Sequence, residues 1–184
     1  MAYLRLVHSP ATPLPAPANT SLETFDRELE YVFETLRRLG AAPSEIEDLA
    51  QELFVVLHRN WPTLDTTRPW RPYLFGVAFR IVCAHRRRRA RETPHPALDI
   101  EDGTLGPEGA LQAKESVAVL SAALERLPLP RRAVVIMHDL DGIGISEVAR
   151  RLSISRFGAY ARLRKGRNEL AVAVRRLLNG GGPK

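Results

Sequence analysis

The chain has 184 residues, 45% of them hydrophobic, which is enough for one or two folded domains and excludes a wholly disordered protein. A single cysteine, Cys83, excludes an internal disulfide, and no Cys or His cluster has zinc-ligand spacing, so we expect no metal and no other cofactor. No apolar run approaches the roughly 18 residues of a membrane helix, so we expect a soluble, cytoplasmic protein without membrane insertion.

The net charge of +6 conceals alternating blocks of charge along the chain. The net charge is −6 over residues 21–52, +8 over 68–91, −6 over 92–125 and +8 over 131–184. Two separated basic blocks indicate two separated contacts with a polyanion. The acidic blocks indicate either solvated surface or a basic protein partner.

The N-terminal half begins with a tail, residues 1–20, whose four prolines cannot bury a core, and we expect it to be disordered. Apolar residues at helical spacing predict a helix from 21 to 39 that Gly40 ends. A second helix is predicted to start at Ser44, with Glu47 at the capping-box position. Its predicted outer face is acidic and carries Glu45, Asp48, Gln51 and Glu52.

An aromatic loop from Trp61 to Trp70 then leads into a third helix that ends in a run of arginines, residues 86–89 and 91. Bases stack on aromatic rings while cations hold the backbone, so this pair of features is typical of a single-strand binding surface. Each ring taken singly is as well explained by packing in a core.

Residues 92–114 are rich in Pro, Gly and acidic residues and are interpreted as a linker. The predicted fold is therefore all-α: two small helical domains, 21–91 and 115–179, joined by a flexible linker, with a short tail at 180–184. We expect four helices in the C-terminal domain.

The last three of those helices form a predicted helix-turn-helix module. Buried stripes are expected at Ala133, Val134, Ile136 and Met137, and then at Val148, Ala149 and Leu152. Ser155 is a good N-cap for a basic final helix, which fits the major groove of DNA. Alternatively, the arginines of that helix are only a solvated face.

Taken together, three stretches resemble the extracytoplasmic-function (ECF) sigma factors of the sigma-70 family. SEIEDLAQELFVVLHRNW is similar to the family's acidic DLxQE helix, RPWRPYLFGVAFRIVCAHRRRR to its minus-10 helix, and LERLPLPRRAVVIMHDLDGIGISEVARRLSIS with ARLRKGRNEL to its minus-35 domain. The resemblance covers residues 22–178. It implies a non-enzymatic subunit that directs bacterial RNA polymerase to promoters and takes part in promoter melting.

The resemblance also implies partners and roles for particular residues. The clamp helices of the largest polymerase subunit would bind Asp48, Leu49, Gln51 and Glu52, and the polymerase flap is a further expected contact. The opened minus-10 strand would contact Trp61, Asp65, Arg68, Trp70, Arg80, Arg86, Arg87 and Arg88. Duplex minus-35 DNA would contact Arg156, Tyr160, Arg162, Arg164, Lys165 and Arg167. Within that last set we expect Arg164 and Lys165 to read bases and Arg156 and Arg167 to hold phosphates. Anti-sigma proteins bind many family members, and no small-molecule substrate is expected.

The final helix departs from the family at its start, where Phe157, Gly158, Ala159 and Tyr160 replace a common Gly-Thr-Val pattern. Glycine within a helix costs about 0.5 to 1 kcal/mol relative to alanine, so Gly158 and Gly166 are expected to loosen this helix unless DNA orders it. The alternatives are a stand-alone helix-turn-helix regulator that binds duplex DNA, an enzyme acting on nucleic acid, and an RNA-binding adaptor.

Overall fold

The computed structural model describes residues 20–65, 67–92 and 111–180, and in these ranges the regular structure is entirely helical. The expected N-terminal tail, apart from its last residue Thr20, and most of the expected linker lie outside the described residues. The N-terminal half contains α1 (Ser21–Arg27), α2 (Leu29–Arg38), α3 (Ile46–Asn60) and α4 (Trp70–Glu92). The C-terminal half contains α5 (Leu111–Glu125), α6 (Leu129–Val135), α7 (Ile145–Arg151) and α8 (Arg156–Gly180).

The single helix predicted over 21–39 is interrupted at Glu28, where the backbone leaves helical geometry at φ −101° and ψ 8°. The Glu28 carboxylate accepts a 2.9 Å hydrogen bond from Nε of Arg71 in α4, which ties the break to the neighbouring helix. Periodicity in one helix carries no signal of that contact. Gly40 ends α2 as predicted, since its φ of +83° is the left-handed conformation that glycine adopts readily.

The start of α3 differs from the prediction, because Ser44 is not its cap. A 3-10 turn, Pro43–Glu45, precedes α3, and Oε2 of Glu45 accepts a 3.1 Å hydrogen bond from the backbone N–H of Ala42. Proline favours this turn because it fixes φ and has no N–H to satisfy. The helix therefore begins two residues later than Ser44.

Glu45 also joins α3 to α4, since its Oε1 lies 3.0 Å from Nε2 of His85 and 2.9 Å from Nη1 of Arg89. Burial raises the pKa of Glu45, but the adjacent His85 ring, the hydrogen bond from the Ala42 N–H and the charge of Arg89 outweigh it and hold that pKa below its usual value. The sequence predicted Glu45 on the outer face of α3, whereas its carboxylate lies against His85 and Arg89 of α4.

The predicted stripes of the C-terminal half are confirmed. Ala133, Val134, Ile136 and Met137 are fully buried, and Val148 and Ala149 on α7 and Leu152 directly after it are buried. A π-helical turn, Ile136–Leu140, extends α6, and α5 begins inside the range expected to be linker.

The turn between α7 and α8 is short because Ser153 adopts the left-handed conformation, with φ 54°. Ser155 then caps α8 as predicted, its hydroxyl accepting a 3.0 Å hydrogen bond from the N–H of Gly158. These two residues hold α8 across α7 in helix-turn-helix geometry.

Both halves contribute to one continuous set of buried apolar side chains. We call the contact between them the seam; it joins Tyr31, Gly76 and Arg80 of the N-terminal half to Asp141 and Arg151 of the C-terminal half. Within the seam a Cβ on Gly76 would lie 3.1 Å from the carbonyl oxygen of Arg151, so glycine favours this close approach of α4 to α7. Beside it, Nη1 of Arg80 lies 3.5 Å from the same carbonyl oxygen.

Candidate nucleic-acid interface

The outer side of α3 forms an acidic face made of Asp48, Gln51 and Glu52, all exposed. Leu49, predicted with them, is only 3% exposed and packs in the core, so its side chain positions the helix. Glu52 lies 3.9 Å from Nη2 of Arg88, and both side chains are about half exposed. An exposed ion pair of this kind contributes little stability, so either partner is free to exchange it for an external charge.

The loop before α4 is organised by two tryptophans. The rings of Trp61 and Trp70 stack with centroids 4.9 Å apart and planes 9° apart. Asp65 shapes the loop between them: it accepts hydrogen bonds from the hydroxyl of Thr67 at 2.5 Å and from Nε of Arg68 at 2.9 Å. The bonds from Thr67, with that from Arg68, lower the pKa of Asp65. Four residues predicted for the minus-10 strand thus lie together.

The other predicted minus-10 residues lie further along α4. Arg86, Arg87 and Arg88 follow Trp70 by 16 to 18 positions, roughly 24 to 27 Å along a helix. Nη2 of Arg86 donates to the carbonyls of Leu39 and Gly40 at 2.9 and 3.2 Å and so caps the end of α2. Arg80, between these groups, lies at the seam. The predicted set therefore forms two clusters, with Arg80 apart from both.

The start of α8 presents an exposed face bearing Arg156, Phe157, Tyr160, Arg164 and Lys165. No described residue forms an ion pair with Arg156, Arg164 or Lys165. Arg162, also predicted to contact DNA, is partly buried. Arg167 is different, because its Nε and Nη2 donate to the two carboxylate oxygens of Asp139 at 3.0 and 2.5 Å. These bonds and the charge of Asp139 raise the pKa of Arg167.

Phe157 was not predicted as a site residue, yet it is 84% exposed, the highest exposure among the large hydrophobic side chains described. Its neighbours on the inner side of α8, Ala159 and Leu163, are 0% and 5% exposed. A sequence signal for this existed: Phe157 is out of phase with the apolar positions that pack inward.

Helix α8 runs unbroken from Arg156 to Gly180, through both Gly158 and Gly166, the two positions at which glycine was expected to loosen it. A Cβ at Gly166 would lie 2.7 Å from Cγ2 of Val135 and 3.4 Å from the carbonyl oxygen of Arg131. Glycine therefore allows α8 to lie directly on α6. This close packing works against the loosening expected from the weak helix propensity of glycine.

Comparison with known proteins follows the same division into halves. The protein-family model described as "Sigma-70 region 2" matches residues 24–92, and the family model described as "Sigma-70, region 4" matches residues 118–170. The ECF RNA polymerase sigma factor SigF of Caulobacter vibrioides is 30% identical over 146 residues, which cover 77% of each chain. The RNA polymerase sigma factor NccH of Alcaligenes xylosoxydans is 27% identical over 77% of this chain and 79% of NccH.

The chain belongs to the ECF sigma factors. As a member of this family it binds core RNA polymerase and promoter DNA and directs transcription initiation. Membership decides against the stand-alone regulator, because both sigma regions are present in one chain and in the family's order.

Solved sigma-factor structures share the fold. CnrH in complex with the cytosolic domain of CnrY aligns with a TM-score of 0.59 at 20% identity, covering 88% of this chain and 89% of CnrH. RpoE from Bartonella quintana, in complex with the anti-sigma factor NepR, aligns with a TM-score of 0.62 at 18% identity, covering 83% of this chain and 98% of RpoE. Among the described residues of this sigma factor, no helix is both long and apolar enough to cross a membrane. No group of three or more His, Cys, Asp or Glu side chains in those residues is arranged to hold a metal ion.

Proposed function

We propose that this sigma factor divides its contacts among three surfaces. The acidic face of α3 binds the clamp helices of polymerase, the Trp61–Trp70 loop with the arginines of α4 engages the opened minus-10 strand, and the start of α8 reads duplex minus-35 DNA. The observation that carries this assignment is the exposed row of Asp48, Gln51 and Glu52 on α3. A DNA-binding protein working alone has no evident use for an exposed anionic face beside its basic surfaces.

This division of contacts requires the seam to open. The minus-10 and minus-35 elements lie about 25 base pairs apart, or roughly 85 Å at about 3.4 Å per base pair. A compact chain of this length has a radius of gyration of about 16 Å. The packed halves therefore cannot reach both elements, whereas residues 93–110 span roughly 60 Å when fully extended. We infer that 21–91 and 115–179 act as separate domains on the promoter.

Charge reversal on α3 tests the polymerase surface. Asp48→Lys with Glu52→Lys is expected to abolish co-purification with core polymerase, because a basic partner meets like charges. Asp26→Lys with Glu30→Lys is the matched control, since it makes the same change in net charge at exposed positions of α1 and α2. That control is expected to bind polymerase normally.

Run-off transcription with each reconstituted holoenzyme completes the test. The α3 variant should fail to initiate from any promoter while its isolated chain keeps the wild-type helix content. Equal binding of core polymerase by the two double variants would contradict the assignment of α3.

We also propose that an anti-sigma protein holds the packed form. Support comes from CnrH and RpoE, which were solved with CnrY and NepR and which align with both halves of this chain together. A partner bound across the seam hides minus-10 and minus-35 surfaces at once and blocks the opening that the promoter requires.

A side chain at Gly76 tests this control. Gly76→Leu should force α7 away from α4, because even a Cβ there is 3.1 Å from a backbone oxygen. Crosslinking in cells is then expected to recover polymerase with the variant but no second partner, whereas wild type recovers both. Gly144→Ala is the control, since a Cβ there meets nothing within 4 Å. An identical set of partners for Gly76→Leu and wild type would contradict the proposal.

The proposed site of action is the cytoplasm, where bacterial polymerase meets the chromosome. We propose no catalytic step for the chain itself: promoter melting draws on binding free energy, and bond formation belongs to the polymerase.

A further inference from the structure

Phe157 places a large apolar ring in water at the second position of α8. It is 84% exposed, and Tyr160, one turn further along the same side, is 51% exposed. Ala159, between them, is fully buried against the domain, so the two rings point away from the core. An aromatic ring held this far from its own core gains free energy only when something external covers it.

The surroundings of this ring indicate what covers it. Arg156 precedes Phe157, and Arg164 follows Tyr160 by one turn; both are exposed, and neither pairs with a carboxylate among the described residues. An apolar protein surface would have to desolvate both guanidinium groups without compensation. A polyanion with apolar points on its surface satisfies the cations and the rings together.

The major groove of DNA has these properties, because its phosphates are anionic and its floor carries the C5-methyl group of each thymine. Residues at the start of a recognition helix are the ones that reach base edges. We infer that Phe157 is a specificity-determining residue that packs on thymine C5-methyl groups in the upstream promoter element. This inference rests on the proposed function of α8 and names the chemistry that α8 recognises.

The first experiment compares sequence preferences. Holoenzyme containing the full chain initiates from a promoter library that is randomised across the upstream element, and the productive templates are sequenced. Wild type is expected to enrich thymine at one or two adjacent positions. Phe157→Ala should lose that enrichment and keep the preference elsewhere, whereas Phe157→Leu, which retains an apolar side chain, should keep part of it.

The second experiment removes only the methyl group. Deoxyuridine in place of the selected thymine should weaken wild-type promoter binding about fourfold, the expected effect of one buried methyl, and should leave Phe157→Ala unchanged. Restoring a C5-methyl group at that position with 5-methylcytosine paired to guanine should bind wild type more tightly than cytosine does. The control is Leu178→Ala, which removes a 62% exposed side chain from the far end of α8 and should behave as wild type.

The outcomes separate two failures. If wild type initiates but Phe157→Ala selects the same sequences, or initiates less from all of them alike, Phe157 reads no base and the inference is overturned while the proposed function stands. If wild-type holoenzyme initiates from no member of the library, the proposed function fails and this inference fails with it.

Discussion

The hydroxyl of Tyr31 donates a 2.7 Å hydrogen bond to Oδ2 of Asp141, 110 residues further along the chain and in the other half. The side chain of Asp141 is 9% exposed, and Nη1 of Arg38 lies 3.7 Å from its second oxygen. Burial, followed by the hydrogen bond to Asp141, raises the pKa of Tyr31, so the phenol remains a donor throughout the physiological range. The seam is therefore closed by a polar contact as well as by apolar packing.

Removing that hydroxyl tests the strength of the seam. Tyr31→Phe leaves a buried carboxylate oxygen without its donor, and we expect the free energy of unfolding to fall by about 1 to 2 kcal/mol. Urea denaturation measures this. Tyr160→Phe, which removes an exposed hydroxyl, should stay within about 0.5 kcal/mol of wild type. Equal effects of the two variants would show that the contact contributes nothing across the seam.

Asp141 also makes stability depend on pH. Its burial raises the pKa of Asp141, and the hydrogen bond from Tyr31 with the charges of Arg38 and Arg71 only partly opposes this. A raised pKa means that the folded state binds the proton more tightly than the unfolded state does. The contribution of this carboxyl is then most favourable below its usual pKa of about 3.9 and declines as pH rises through the raised value.

Asp141→Asn removes that titration. The difference in unfolding free energy between wild type and Asp141→Asn should therefore shift against wild type as pH rises from about 4 to 7. Urea denaturation across this range measures it, with Asp26→Asn as the control for losing an exposed carboxylate. A shift in favour of wild type would mean that Arg38 and Tyr31 outweigh burial.

Gly166 offers a test of helix packing against helix propensity. Alanine there gains about 1 kcal/mol of propensity but places a methyl group 2.7 Å from Cγ2 of Val135, and overpacking of this kind costs about 1 to 3 kcal/mol. We expect Gly166→Ala to destabilise the chain by up to about 2 kcal/mol. In a Val135→Ala background the same change should cost less or become stabilising, which a double-mutant cycle measures. The same cost in both backgrounds would rule out the contact as its cause.

Asp139 is expected to restrain DNA binding by occupying Arg167. Asp139→Asn frees the guanidinium for a phosphate, so promoter affinity should rise for all sequences alike, and the slope of log affinity against log salt should steepen by about one. Binding titrations at several salt concentrations measure both. Glu169→Gln also removes an acid, the 2.8 Å partner of Arg131, and should change affinity without changing the slope as much. Equal slopes for the two variants would assign Arg167 a purely structural role.

Local patterns predicted local structure well in this chain. The apolar stripe from Ala133 to Met137, the end of α2 at Gly40 and the Ser155 cap each depend on residues within one or two turns, and all are confirmed. The break at Glu28 was missed because it depends on Arg71, 43 positions away. Contacts of this kind have no period in the sequence.

For the candidate sites, too, the sequence predicted which residues are exposed but not which of them make long-range contacts. Exposure of Asp48, Gln51 and Glu52 followed from helical phase, and so did the basic face of α8. The sequence held no sign that Arg167 pairs with Asp139 or that Arg86 caps α2. A count of charges identifies a basic surface, but it does not separate cations available to DNA from those already used inside the fold.

The stacked pair Trp61 and Trp70 has a practical consequence, because these are the two tryptophans of the protein. Intrinsic fluorescence excited in the indole band reports on this one loop, with no label and no background from the rest of the chain. A base that inserts between the rings must part them, and emission then follows strand capture in real time. The protein thus carries its own optical probe at the place where the promoter is proposed to open.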